Sequence, residues 1–171
     1  MMKTPEQLKG AIRNLAKKKG IHAQEILQIF MFERIIERLS VSPYKDRFIL
    51  KGGLLISAIL GVAERTTMDM DTTVKGLPMD EFSYPFLFDE RRVMVKAYTQ
   101  ETILAEKYET IIRRNVGNTR ARDFYDLHLL YRLYRENADW NLLKQAVLAT
   151  AKKEIPCPFC RTRNGFCWHW K

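Results

Sequence analysis

The sequence predicts an α+β domain in which a small mixed sheet is flanked by an N-terminal pair of helices and a C-terminal helical bundle. Three observations predict it. Apolar residues recur at helical spacing between residues 5 and 39. The pattern then shortens to β-favouring runs at 47–51 and 68–74 around glycine-rich turns, and helical spacing returns from residue 101. A chain of 171 residues, 46% hydrophobic and 29% charged, suffices for one domain with a real core.

The first helix is announced by Thr4 as a cap, Pro5 in the first helical position and Gln7 at capping-box spacing, ahead of Leu8, Ile12 and Leu15. Gly20 ends it. A second helix is expected from about His22 to Leu39, its broad apolar face built from Ile26, Ile29, Phe30, Phe32, Ile35, Ile36 and Leu39. Ser42, Pro43 and Tyr44 break that pattern, and Arg47–Lys51 reads as a short buried strand closed by Gly52-Gly53. A helix from Leu54 to Leu60 with Gly61 as its C-cap should follow, then a strand from Met68 to Val74. Glu81 to Arg92 has no clear period, and Val93 to Tyr98 reads as a third short strand. Three helices, about 101–115, 120–136 and 140–153, the last capped by Asp139, complete a domain over 1–153. Its parts are 1–46 (helical), 47–98 (sheet) and 99–153 (helical), and 154–171 is an atypical tail.

Lysine and arginine number 29 against 20 acidic residues, a net charge of +9 that favours polyanionic partners such as nucleic acid or nucleotides. No apolar run approaches the roughly 18 residues of a membrane span, and the N-terminus lacks the apolar stretch of a signal peptide, so a cytoplasmic address is expected. The three cysteines, Cys157, Cys160 and Cys167, lie in the tail, which excludes a disulfide framework for the body and agrees with a reducing compartment. With His169 they supply four candidate zinc ligands, but the spacing C-x2-C-x6-C-x-H matches no familiar finger, and tight zinc binding is not expected.

The sharpest chemical feature is Gly52-Gly53, a helix, and then Arg65-Thr66-Thr67-Met68-Asp69-Met70-Asp71. On a strand, residues two apart share a face at about 6.6 Å, so Asp69 and Asp71 would point together and could share divalent cations. Magnesium suits such oxygen ligands. A bare Asp-x-Asp is more often an acidic strand face. The diglycine raises it above that, because a backbone without Cβ atoms can approach a triphosphate and offer N–H donors. Lys107 falls inside the apolar arc of Ile103, Leu104, Tyr108, Ile111 and Ile112, where a cation calls for an anion or must snorkel from the rim. Arg120 and Asp123 project onto the apolar side of the next helix with Asp126 just off its edge; they could form a structural ion pair, orient Lys107 or contact nucleotide. His128, among aromatics, reads as packing.

Taken in order, Phe48-Ile49-Leu50-Lys51-Gly52-Gly53-Leu54-Leu55, the segment from Arg65 to Asp71, Ala105-Glu106-Lys107, and Arg120-Ala121-Arg122-Asp123-Phe124-Tyr125-Asp126-Leu127 resemble the AbiEii/AbiGii toxin family over roughly residues 3 to 153. The resemblance implies a polymerase-β-like nucleotidyltransferase core that takes a nucleoside triphosphate with Mg2+, in toxins of bacterial toxin–antitoxin and phage-defence systems. It also implies a cognate antitoxin as partner and RNA, in some relatives tRNA, as acceptor. Asp69 and Asp71 would hold the metal, and Gly52 and Gly53 would cradle phosphates. Lys107 would neutralise triphosphate charge, Asp123 or Asp126 would position that lysine or the acceptor, and Lys51 and Arg65 would add phosphate contacts. Two features depart from the family: only Met79, Asp80 and Glu81 separate Val74–Pro78 from Phe82–Pro85, where the family has several dozen residues, and the tail from Glu154 is atypical. Two alternatives are an inactive module that retains nucleotide or antitoxin binding, and a zinc-dependent nucleic-acid-binding protein that uses the tail.

Overall fold

A computed structural model describes residues 4–73, 77–114 and 121–154, without the side chains of 152–154. Helix α1 (Pro5–Lys19) starts at the expected capping box. The Thr4 hydroxyl accepts the Gln7 N–H at 3.2 Å, the Gln7 side chain accepts the Thr4 N–H at 3.3 Å, and Gly20 closes the helix at φ 68°. Helix α2 (Ala23–Ser40) follows, with Glu25 accepting the His22 N–H. Strand β1 (Ile49–Lys51) runs into α3 (Gly52–Leu60), and β2 (Asp71–Thr73), β3 (Met79–Pro85) and β4 (Arg92–Tyr98) lead to the C-terminal helices. Those are α4 (Gln100–Arg114), α5 (Ala121–Tyr134) and α6 (Trp140–Glu154); Asp139 caps α6 by accepting the N–H groups of Asn141 and Leu142.

The sheet has four strands in the order β2-β1-β4-β3. β1 pairs antiparallel with β2, placing Lys51 opposite Asp71, and parallel with β4; β3 and β4 are antiparallel over Met79–Pro85 and Arg92–Tyr98. The main core lies between sheet and helices, where Ile29, Ile49, Leu54, Leu55, Ile56 and Leu130 are almost wholly buried. Each such side chain contributes about 1.5–3 kcal/mol through lost apolar exposure. Ile12, Ala16 and Ile26 form a smaller cluster that fastens α1 to α2.

The α+β architecture is therefore as the sequence predicts, with four local corrections. The first strand covers 49–51 rather than 47–51, and α3 begins at Gly52, so the diglycine is its first turn and not a turn before it. The second strand covers only 71–73, which leaves Asp69 in the connecting segment instead of on a strand face. The first part of the stretch without period, residues 81–85, belongs to β3, whose partner is fixed by backbone pairing with β4 rather than by alternation.

Glu33, on the buried face of α2, is 1% exposed; one carboxyl oxygen accepts the Leu87 N–H at 2.7 Å and the other has no hydrogen-bond partner among the described residues. Burial outweighs the Leu87 hydrogen bond and the charge of Arg34 and pushes the carboxyl up to about 8. Because the folded-state value is raised, the contribution to stability is complete below the ordinary glutamate value and is lost as pH rises towards about 8. Urea unfolding should show stability falling from about pH 5 to about pH 8, and Glu33→Gln should flatten that slope. An equal slope in the variant would place the titration elsewhere.

Candidate nucleotide site

β1 delivers its C-terminal end and the N-terminus of α3 to one place, an arrangement that aims free backbone N–H groups outward. Lys51 is the N-cap of α3 and Gly52 has φ 66°, a left-handed conformation that favours glycine. A Cβ at Gly52 would collide with the Asp71 carboxylate, lying 2.9 Å from its Cγ, and one at Gly53 would lie 2.6 Å from the Thr67 hydroxyl and 3.2 Å from the Arg65 guanidinium. The glycines thus admit the following segment against the start of the helix. Asp71 is exposed and sits on Gly52 across the ladder from Lys51.

The segment ahead of β2 is irregular yet anchored at several points. The Arg65 guanidinium is 7% exposed and grips Asp126 of α5 through two nitrogens at 2.7 and 3.3 Å, while a third donates to the Thr66 carbonyl. The Thr66 hydroxyl donates to Glu25 of α2 at 2.5 Å, and that hydrogen bond, more than any other influence, holds the Glu25 carboxyl below the usual range. The Thr67 hydroxyl accepts the Asp69 N–H and donates to the Asp69 carbonyl, fixing the backbone from which the exposed Asp69 side chain projects.

Behind this segment lies a buried charge cluster. The Lys107 ammonium of α4 donates to Asp123 at 2.7 Å and lies 2.8 Å from Asp126, which is 0% exposed and also holds Arg65. The anion that the sequence position of Lys107 requires is thus supplied by α5. The structure brings Arg65, Lys107, Asp123 and Asp126 into one cluster, and Lys51, Gly52 and Asp71 into another. Arg120 and the tail ligands Cys157, Cys160, Cys167 and His169 lie outside the described residues.

Glu106 escaped the sequence reading although it stands within the Ala105-Glu106-Lys107 motif. Its carboxylate accepts from the Lys51 ammonium at 2.9 Å, and both side chains are 26% exposed. The Lys51 ammonium also lies 5.4 Å from the centre of the Tyr98 ring. Burial opposes the charged amine, but the hydrogen bond and charge of Glu106, followed by Tyr98 and Asp71, raise the Lys51 pKa above the lysine norm. An apolar residue at position 106 would have made this pairing impossible, but nothing in the helical period reveals a partner 55 positions away.

The family model described as nucleotidyl transferase AbiEii toxin, type IV TA system, matches residues 34–84 and 72–159. The chain belongs to the AbiEii family. The two matched segments overlap at 72–84. Comparison with curated proteins and with solved structures gave no significant match.

For the divalent ion that nucleotidyl transferases generally use, Asp71 offers an exposed carboxylate against Gly52, and the exposed Asp69 stands two residues before it. Among the described residues no group of three or more His, Cys, Asp and Glu side chains could hold a metal. Such carboxylates would suit an ion that takes one or two of them and completes its shell with water and phosphate oxygens, as magnesium does, rather than one that needs a closed protein cage. No described helix is long and apolar enough to cross a membrane.

Proposed function

We propose that this AbiEii-family chain is a nucleotidyltransferase toxin that binds a nucleoside triphosphate with magnesium and transfers its nucleotidyl group to RNA, with tRNA the leading acceptor, under the control of a cognate antitoxin. The observation that carries the reading is the convergence of Asp71, Gly52 and Lys51 at the N-terminus of α3. The α3 backbone would receive phosphate oxygens, Lys51 would meet their charge, and Asp69 and Asp71 would hold the metal. Magnesium, when bound, supplies neutralisation of phosphate charge and orientation of the leaving group. The acceptor oxygen forms a bond to the α-phosphorus, the bond from that phosphorus to the bridging oxygen breaks, pyrophosphate leaves and the acceptor hydroxyl releases its proton. Lys107, Asp123, Asp126 and Arg65 act on this reading mainly by fixing the segment that bears Asp69 and Asp71, an indirect part in the reaction.

The test is transfer of label from each of the four radiolabelled nucleoside triphosphates to bulk RNA. Transfer by the wild type that falls to background in Asp71→Ala is the expected result. Absence of transfer with all four, alongside intact magnesium-dependent triphosphate binding, would favour the second reading, an inactive nucleotide- or antitoxin-binding module. That reading draws on the pair of carboxylates at the site with no third among the described residues, and on a β2 of only three residues.

A further inference from the structure

The cations around the cradle are not equally available. Lys107 is fixed by two carboxylates that are themselves almost wholly buried, and Arg65 is 7% exposed on Asp126, so either could turn to a ligand only by leaving an uncompensated charge in the interior. Lys51 is different. Its carboxylate partner Glu106 is as open to solvent as the lysine, so water reaches and partly screens both charges, and an exchange of partner strands neither of them in the interior.

We propose that Glu106 is a built-in stand-in for phosphate: it holds the Lys51 ammonium while the cradle is empty and surrenders it to a triphosphate, so that the Lys51–Glu106 pair sets how tightly nucleotide binds. This rests on the nucleotidyltransferase reading and adds to it a residue that competes with substrate. Geometry supports it in three ways. Lys51 caps α3, so its stem starts where the helix N–H groups would meet an anion. Its ladder partner is Asp71, which lies against Gly52, so the ammonium belongs to the same small region as the metal-binding carboxylate. The Tyr98 ring beside the ammonium gives it a second, uncharged support that persists when Glu106 lets go. Glu106 reaches over from α4, whose next residue, Lys107, is fixed to α5, so its carboxylate stands on an anchored element.

The experiment is equilibrium binding of magnesium tripolyphosphate, a probe without a base or sugar, to wild type, Glu106→Gln, Lys51→Met and the double variant, with melting curves recorded for each. Removing the competitor should tighten binding to Glu106→Gln by roughly two- to fivefold, in keeping with a pair that water partly screens. Lys51→Met should weaken binding, and the double variant should match Lys51→Met, showing that the gain passes through the lysine. Equal or weaker binding by a well-folded Glu106→Gln would overturn the proposal and leave Glu106 as an ordinary orienting residue. A gain that survives in the double variant would overturn it too, since it would reflect general charge. The parent reading fails separately, on Asp71→Asn: if that variant binds like wild type with and without magnesium, the metal assignment is lost whatever Glu106→Gln does.

Discussion

Replacing Asp126 with alanine is expected to destabilise the domain by about 3–5 kcal/mol, the cost typical of removing one partner from a buried ion pair. Asp126 is 0% exposed and receives Arg65 at 2.7 Å and Lys107 at 2.8 Å, so its loss takes from Arg65 the carboxylate it grips and leaves Lys107 with Asp123. For a chain of this size the melting temperature should fall by on the order of 10 °C. Asp126→Leu combined with Arg65→Met should regain part of the loss, because Lys107 keeps Asp123 and the remaining pair becomes apolar. Denaturant unfolding decides the matter. A change below about 1 kcal/mol for Asp126→Ala would mean that water reaches the cluster and screens it as it does surface pairs.

The second large effect is expected at Asp71. Asp71→Asn keeps the shape that fits over Gly52 but removes the charge that an Mg2+–triphosphate complex requires, so the rate of label transfer should fall by on the order of 100- to 1000-fold. Because the Asp71 side chain is exposed, the fold should be unaffected. Asp69→Asn should lower the rate less, since Asp69 projects from the irregular segment ahead of β2 whereas Asp71 belongs to the ladder opposite Lys51. Single-turnover transfer with the three proteins checks both statements. Equal loss in the two variants would mean that both carboxylates act on one ion with equal weight, and wild-type rates in Asp71→Asn would remove it from the site.

What the sequence disclosed and what it concealed divide along physical lines. Helix α1 was legible because its signals are local: Thr4, Pro5, Gln7 and Gly20 each act within a few residues of where they stand. The glycine pair and the two aspartates were legible as types, but their geometry was not. The reading of Asp69 and Asp71 on one strand face assumed seven residues of strand, while the ladder holds only Asp71–Thr73, because Arg65 and Thr66 are drawn away to α5 and α2. β3 was hidden for a related reason: it lies at the sheet edge, several of its residues are exposed, and no two-residue alternation survives there. The apolar arc around Lys107 left open an anionic partner or a side chain that snorkels, and the structure supplies the partner from α5; the link from Arg65 to Asp126 spans 61 positions and leaves no trace in any periodic pattern.

That same link governs the order in which the molecule can become competent during synthesis. A nascent chain that has emerged as far as Thr73 already carries Lys51, Gly52, Asp69 and Asp71, yet the guanidinium of Arg65 has no Asp126 to close on until α5 has left the ribosome. The sheet and the helical bundle therefore mature together, and a fragment ending before α5 holds Asp69 and Asp71 without the clasp that anchors their segment. In a toxin, this defers the finished site until most of the chain has been made.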